Sequence, residues 1–338
     1  MNGRLISLCI IVLLGFAAGC GRDARYVTAN GPMLGTTFVA TGDVRCSAPE
    51  LFGALMELDR EAKASMSIFD PESLLSRLND NRTDSLDRHI LHNLRLAERI
   101  SRLSGGRYDV TVGPLVEAWG FAGHDPSLRP DTDSILQFVG YRRIGFDGGR
   151  LVKEDPRIRI DLNSIAKGYT VDLAAELMER LGARNYLVDI GGECRCKGVN
   201  PQGGPWRIGI ETPFDGNCTE GDFLTARVRM SGGALATSGN YRRFYLDAEG
   251  NKVAHTIDPI TGRSALSRLL SATVAAESCA EADALATMYM SLGADAAIAL
   301  AERCAEARVY FILDDGRGGY ETYCSPAMRR MMMASEEH

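Results

Sequence analysis

Ile160-Asp161-Leu162-Asn163-Ser164-Ile165-Ala166-Lys167-Gly168-Tyr169 is the stretch on which the fold turns. Alternating Ile158 and Ile160 predict a short strand running into Asp161, and the spacing beyond it predicts a helix of about 18 residues that Gly182 closes. The first amides of such a helix have no partner within it, and Asp161 and Asn163 are both able to cap them. Lys167, one turn in, adds a cation to the positive helix end, an arrangement that suits a phosphate or diphosphate. A capped helix with a solvated lysine fits the same residues equally well.

Working outward, Tyr186-Leu187-Val188-Asp189-Ile190 reads as a buried strand ending in Gly191-Gly192. Upstream, Leu51, Leu55, Leu58 and Ala62 recur at helical spacing between Ala48 and Met66. A second helix runs from about Arg88 to Leu103 and ends at Gly105-Gly106. Gly113-Pro114 then punctuates before the apolar run from Leu115 to Phe121. Asn30 to Phe38 opens a strand-like stretch, and a last long helix spans roughly Ala280 to Leu292. Strands and helices do not alternate regularly enough for a doubly wound sheet, so the class is α+β, with mixed sheets flanked by helices.

At 338 residues, 45% apolar and 24% charged, the chain is one large domain or two closely packed ones. Disorder, collagen and coiled-coil readings fail for want of the matching composition or repeat. With 38 Lys plus Arg against 44 Asp plus Glu, the net charge is -6. An acidic chain without a long basic stripe is a poor binder of nucleic acid, because counterion release needs clustered cations.

Arg4 precedes an apolar stretch from Leu5 to Ala18. At about 14 residues it falls short of the roughly 20 a spanning helix needs, so it reads as the apolar region of a signal peptide. Ala17-Ala18-Gly19-Cys20 resembles a lipobox, which implies removal of residues 1–19, lipidation of Cys20 and an exported, periplasmic protein anchored to a membrane. An ordinary secretory signal is the alternative. Of nine cysteines, Cys46, Cys194, Cys196, Cys218, Cys279, Cys304 and Cys324 follow the leader, and they lack the paired spacing of a zinc site. Cys194-Arg195-Cys196 is either a redox or metal pair or incidental. The Met- and charge-rich residues 326–338 read as a frayed tail.

Four further segments carry candidate chemistry. Asp283 and Thr287 stand four apart on the last long helix, which puts a carboxylate and a hydroxyl on one face. Two hard oxygens beside a phosphate site favour Mg2+, although an exposed helix face has the same pattern. His255 precedes a turn marked by Asp258-Pro259 and Thr261-Gly262, and a histidine can take a proton from a hydroxyl or be structural. Gly191-Gly192-Glu193 and Thr237-Ser238-Gly239-Asn240-Tyr241 offer small residues that let a ligand approach the backbone.

Taken in order, Met33 to Thr37, Tyr108 to Leu115, Trp119-Gly120-Phe121, Asp161 to Tyr169, Gly191 to Glu193, Ala236 to Tyr241, His255 to Gly262 and Ala282 to Thr287 closely resemble the ApbE family over residues 30–325. The resemblance implies an ApbE-like fold and an FAD:protein FMN transferase. Such an enzyme cleaves FAD, joins FMN through a phosphoester to a threonine of a partner protein and releases AMP. It places Mg2+ on Asp283, Thr287 and the Ser164 carbonyl. FAD would lie against Met33, Phe69, Arg107, Tyr108, Asp109, Asp161, Lys167 and Ile257, with His255 as the base and Asp283 as the second catalytic residue. Implied acceptors are subunits of sodium-pumping NADH:quinone oxidoreductase or Rnf-type complexes and other exported flavoproteins. Two departures stand out: Phe69 replaces a common tyrosine, which removes a phenolic hydrogen bond, and Ala286 replaces an aspartate found in some relatives. The rival readings are an Mg2+-dependent FAD pyrophosphatase and a non-catalytic flavin-binding lipoprotein.

Overall fold

A computed structural model describes residues 26–121, 130–214, 223–241, 244–247, 249–250 and 252–333. The leader, Cys20 and Cys218 lie outside the described residues. The chain opens with a hairpin of β1 (Val27–Met33) and β2 (Thr36–Gly42). Its two turn residues, Leu34 and Gly35, take φ of 49° and 77°, the left-handed pair whose twist matches that of the strands. Then come α1 (Ala48–Met66), α2 (Leu74–Asn79), α3 (Arg88–Leu103), α4 (Gly113–Ala118) and α5 (Thr132–Leu136). A small hairpin, β3 (Ile144–Asp147) and β4 (Arg150–Lys153), leads to α6 (Ala166–Arg180). β5 (Tyr186–Ile190), β6 (Glu193–Lys197), β7 (Trp206–Glu211), β8 (Leu224–Met230), β9 (Gly232–Gly239), β10 (Phe244–Leu246), β11 (Lys252–Ala254) and β12 (Leu269–Ala276) follow. α7 (Cys279–Leu292), α8 (Ala294–Glu302), β13 (Arg308–Asp314), β14 (Tyr320–Cys324) and α9 (Pro326–Arg329) complete the described chain.

Eight strands form one sheet in the order β1-β2-β5-β6-β9-β12-β13-β14, and every ladder in it is antiparallel. The α+β class holds. Strand side chains alternate between two cores, so the sheet is buried on both faces. Tyr186, Val188 and Ile190 of β5 pack with α1 and α6, and Val309, Phe311 and Leu313 of β13 pack with α3 and α7. On the opposite face Cys194, Cys196, Tyr310 and Ile312 meet Trp206, Ile208 and Val228 of the separate β7–β8 ribbon. Among the described residues no helix is long and apolar enough to cross a membrane.

Three expectations are corrected. Residues 158–160 form no strand and join no sheet. Side chains satisfy this backbone instead: Asn79 Oδ1 accepts the Ile160 N–H at 2.7 Å, Asn79 Nδ2 donates to the Ile160 carbonyl at 2.8 Å and Lys153 Nζ to that of Ile158 at 3.0 Å. α6 has 15 residues, beginning only at Ala166, and neither Asp161 nor Asn163 caps it. Asp161 Oδ1 instead accepts the Asn163 N–H at 2.8 Å and shapes the turn before the helix. Residues 326–333 are docked, not frayed. Met328 is fully buried, and Met331 to Met333 pair along β8 through Arg229 N to Met331 O and Met333 N to Arg227 O, both 2.8 Å. Residues 334–338 lie outside the described residues.

The cysteine pair resolves as packing. Cys194 and Cys196 are free and two residues apart on β6, so both point into the core beneath the β7–β8 ribbon. Burial pushes both thiols up, that of Cys196 to about 12, which suppresses the reactive thiolate.

Candidate functional site

The site begins where α6 meets α7. A Cβ on Gly168 would lie 2.3 Å from the Cys279 carbonyl oxygen and 2.8 Å from Asp283 Cβ, so only glycine allows these helices to touch. The contact lets the Gly168 N–H donate to Asp283 Oδ2 at 3.0 Å. In a regular helix that amide would close on the carbonyl four residues back, which is Ser164. Given to Asp283, it leaves the Ser164 carbonyl oxygen without a backbone donor among the described residues. One turn further along α6, Asp172 accepts the Cys279 and Ala280 N–H groups, each at 2.9 Å, and so caps α7 from outside it. The anion at the positive end of α6 is thus the protein's own Asp283.

β6 locks this corner. Gly191 and Gly192, with φ of 61° and 96°, make a two-residue hairpin turn that delivers Glu193 to the helix-facing side of the sheet. Three alternate residues of β6 pair with α6: Glu193 with Lys167 at 2.5 Å, Arg195 with Asp172 at 2.6 Å and Lys197 with Glu179 at 2.8 Å. Glu193 and Asp283 are both buried, and desolvation pushes both carboxyls up, while the Lys167 cation pulls each back down. Two buried carboxyls sharing one half-buried lysine are short of positive charge.

Above this corner opens a cavity of about 520 Å³. Phe69, Arg107, Tyr108, Asp109, Asp161, Ser164, Lys167, His255, Ile257, Asp283 and Thr287 all line it, bringing together eleven of the residues singled out in the sequence. Met33 does not reach it; its side chain is 1% exposed, in the core beneath the sheet. Thr287 shares a 3.0 Å hydrogen bond with Ser238 on β9, and Ser164 Oγ donates to the buried Tyr108 hydroxyl at 2.9 Å. Asp109 contributes less than expected, because its carboxylate is committed to the fold. It accepts from Thr111 N at 2.8 Å, Thr111 Oγ1 at 2.6 Å and Tyr141 N at 2.5 Å.

The rim is built from turns. Arg107 Nη1 lies 2.7 Å from Asp258 Oδ2 and ties the 107–109 loop to the turn after His255. That turn closes through Gly262 N to Asp258 O at 2.8 Å, with Gly262 at φ 68°, and Trp119 Nε1 donates to the Gly262 carbonyl at 2.7 Å. His255 packs edge-on against Phe121, centroids 6.2 Å apart. Phe69, 70% exposed on the cavity wall, is an aromatic face with no core to fill.

Sequence reasoning missed Gly168 and Asp172, whose partners lie beyond residue 278 and leave no local signal. Glu193 was legible in part. Charges at 193, 195 and 197 alternate with cysteines and mark one polar face on a strand flanked by apolar neighbours.

A buried polar corner beneath a ligand-sized cavity, on a two-faced antiparallel sheet, is the plan of an α+β enzyme. A family model described as the ApbE family matches residues 34–311, and the chain belongs to that family. It is 36% identical to the FAD:protein FMN transferase of Vibrio cholerae over 315 residues, 89% of this chain and 91% of the relative. The Haemophilus influenzae FAD:protein FMN transferase is 34% identical, covering 98% and 99%. Among solved structures, Flavin Transferase ApbE from Vibrio cholerae aligns with a TM-score of 0.79 at 33% identity, covering 91% of this chain and 99% of that one. The ApbE protein of Thermotoga maritima aligns at 0.80 with 26% identity, covering 91% and 100%.

Proposed function

We propose that this chain is an FAD:protein FMN transferase that depends on Mg2+, attacks FAD with a threonine hydroxyl of an exported acceptor protein and releases AMP. The observation that carries this reading is the meeting of Asp283, Thr287, Ser164, Lys167 and His255 on one cavity, from three segments spread over more than a hundred residues.

Its residues divide the work. Phe69 offers a face for the isoalloxazine to stack on. Lys167, at the start of α6, draws the diphosphate toward the corner. Asp283, Thr287 and the Ser164 carbonyl form a hard-oxygen donor set suited to Mg2+. The fit rests on the Ser164 carbonyl being left open and on a buried carboxylate that a cation would relieve. Among the described residues no three His, Cys, Asp or Glu side chains gather as a metal cluster, so substrate oxygens and water would complete the shell. Bound there, the cation would neutralise charge gathering on the diphosphate and the departing AMP. His255 takes the proton from the threonine Oγ as that oxygen bonds to the phosphorus of the FMN half and the bond to AMP breaks. Export and a lipid anchor at Cys20 belong to the same proposal, since they would set enzyme and exported acceptor on one membrane face.

The test uses the full chain in detergent with FAD, Mg2+ and a threonine-bearing acceptor domain. AMP is followed by chromatography and protein-bound flavin by in-gel fluorescence. Covalent flavin matching the AMP released, and lost in EDTA, supports the reading. Free FMN and AMP without labelled protein would favour a pyrophosphatase, and intact FAD a binding protein.

A further inference from the structure

The β7–β8 ribbon has a second face, which runs from the cavity out to solvent. Trp206, Ile208 and Ile210 turn inward to the core, so Arg207 and Gly209 turn outward. The register sets Arg207 opposite Arg229 and Gly209 opposite Arg227, giving three exposed arginines on one small patch of a chain whose net charge is -6. Like charges directly opposite on a ladder are destabilising, and among the described residues none of the three forms an ion pair. The face is continuous with the cavity, because Arg207, Gly209, Leu224 and Glu211 also line it. Leu224 lies over Gly209, where a Cβ would come within 2.6 Å of it, so the floor of the patch is low and apolar between cations. Glu211, at the far end, is engaged by the Tyr241 hydroxyl at 3.4 Å.

We propose that this arginine face docks an acidic segment of the acceptor polypeptide and guides its hydroxyl into the cavity. The inference rests on the transferase reading, since only a reaction with a polypeptide acceptor calls for a polypeptide dock beside the cavity. Exposed cations of this kind set association and partner choice more than the chemical step. Arg227 and Arg229 stand outside the cavity lining, so their loss removes docking and leaves the flavin site intact.

The test measures binding, independent of turnover. The probes are two rhodamine-labelled peptides, each with one threonine, flanked by aspartates in one and by lysines at the same positions in the other. Fluorescence anisotropy with the full chain should show the acidic peptide bound at least about tenfold more tightly, with affinity falling as salt rises. Arg227→Glu/Arg229→Glu should remove or reverse that preference, and Arg227→Gln/Arg229→Gln should reduce it, while FAD affinity and melting temperature stay unchanged. Equal binding of both peptides, or a preference that survives both double variants, overturns the proposal. So does a preference that arises only after deletion of residues 334–338, because Glu336 and Glu337 of the chain's own end would then be the occupant. If the transferase reading alone is wrong, the charge preference persists while no acceptor gains flavin.

Discussion

The floor of the cavity and its rim are built by opposite means. At the floor, α6, α7 and β6 are joined by buried hydrogen bonds and ion pairs between segments distant in sequence, with Asp172, Glu193 and Asp283 each less than a tenth exposed. At the rim, short turns hold His255, Arg107 and Phe69, and side-chain contacts such as Arg107 to Asp258 and Trp119 to the Gly262 carbonyl join one turn to the next. A buried charge held by several partners cannot shift without exposing an unpaired group, whereas a partly exposed side chain carried on a turn, such as Phe69 or Arg107, can. The floor is therefore the part whose geometry is fixed before any ligand arrives, and the rim is the part able to accommodate one.

The largest expected effect tests whether the floor carries the chemistry. Asp283→Ala should lower AMP release about 1,000-fold, or about 4 kcal/mol of barrier, while FAD affinity changes far less. Undiminished turnover would break the comparison outright. Gly168→Ala tests rigidity directly. Its new methyl would press on the Cys279 carbonyl, and the unfolding free energy should fall by about 3 kcal/mol in urea titration. A loss below half that would mean that the α6–α7 contact yields.

At the rim, His255→Ala should slow transfer about 100-fold with little change in FAD binding or melting temperature. Equal losses in turnover and affinity would make the histidine a packing residue. The smallest effect concerns pH. Burial raises the folded-state pKa of Glu193 above its unfolded value, so the native state keeps a proton that the unfolded chain gives up. Without metal, this group costs stability progressively as pH rises from the ordinary carboxylate range toward the raised value, then no further. Glu193→Gln should flatten that part of the melting-temperature profile by a few degrees at most, and a parallel profile would place the cost elsewhere.

The rim was easier to read from sequence than the floor. Asp-Pro and Thr-Gly announce the 258–262 turn because turn chemistry is local, and α1 and α3 follow their apolar spacing to the residue. β5 and its Gly-Gly turn were legible for the same reason. The strand expected at 158–160 failed because alternation reports burial on alternate sides, and here side chains of Asn79 and Lys153 replace a neighbouring strand. The helix start at Asp161 failed because that side chain closes its own turn. Asp172 looked like any acid on a helix, since its partners lie 107 and 108 residues away. Composition at the end of the chain suggested fraying, but Met328 fills the core and Met331 to Met333 extend the pairing of β8.

The bond from Gly168 to Asp283 spans 115 residues, and this has a consequence in time. A growing chain can complete β1, α1, α6 and β5, with Phe69, Arg107 and Lys167 already present, long before α7 exists. The helix that supplies Asp283 and Thr287 comes in the last fifth of the sequence, after α6 and β6, its partners at the floor. Any chain cut short before residue 279 thus carries Phe69, Arg107 and Lys167 without Asp283 and Thr287. Under the proposed function, the last helix to be made is the one that completes the reactive corner, and a shorter fragment would bind flavin without cleaving it.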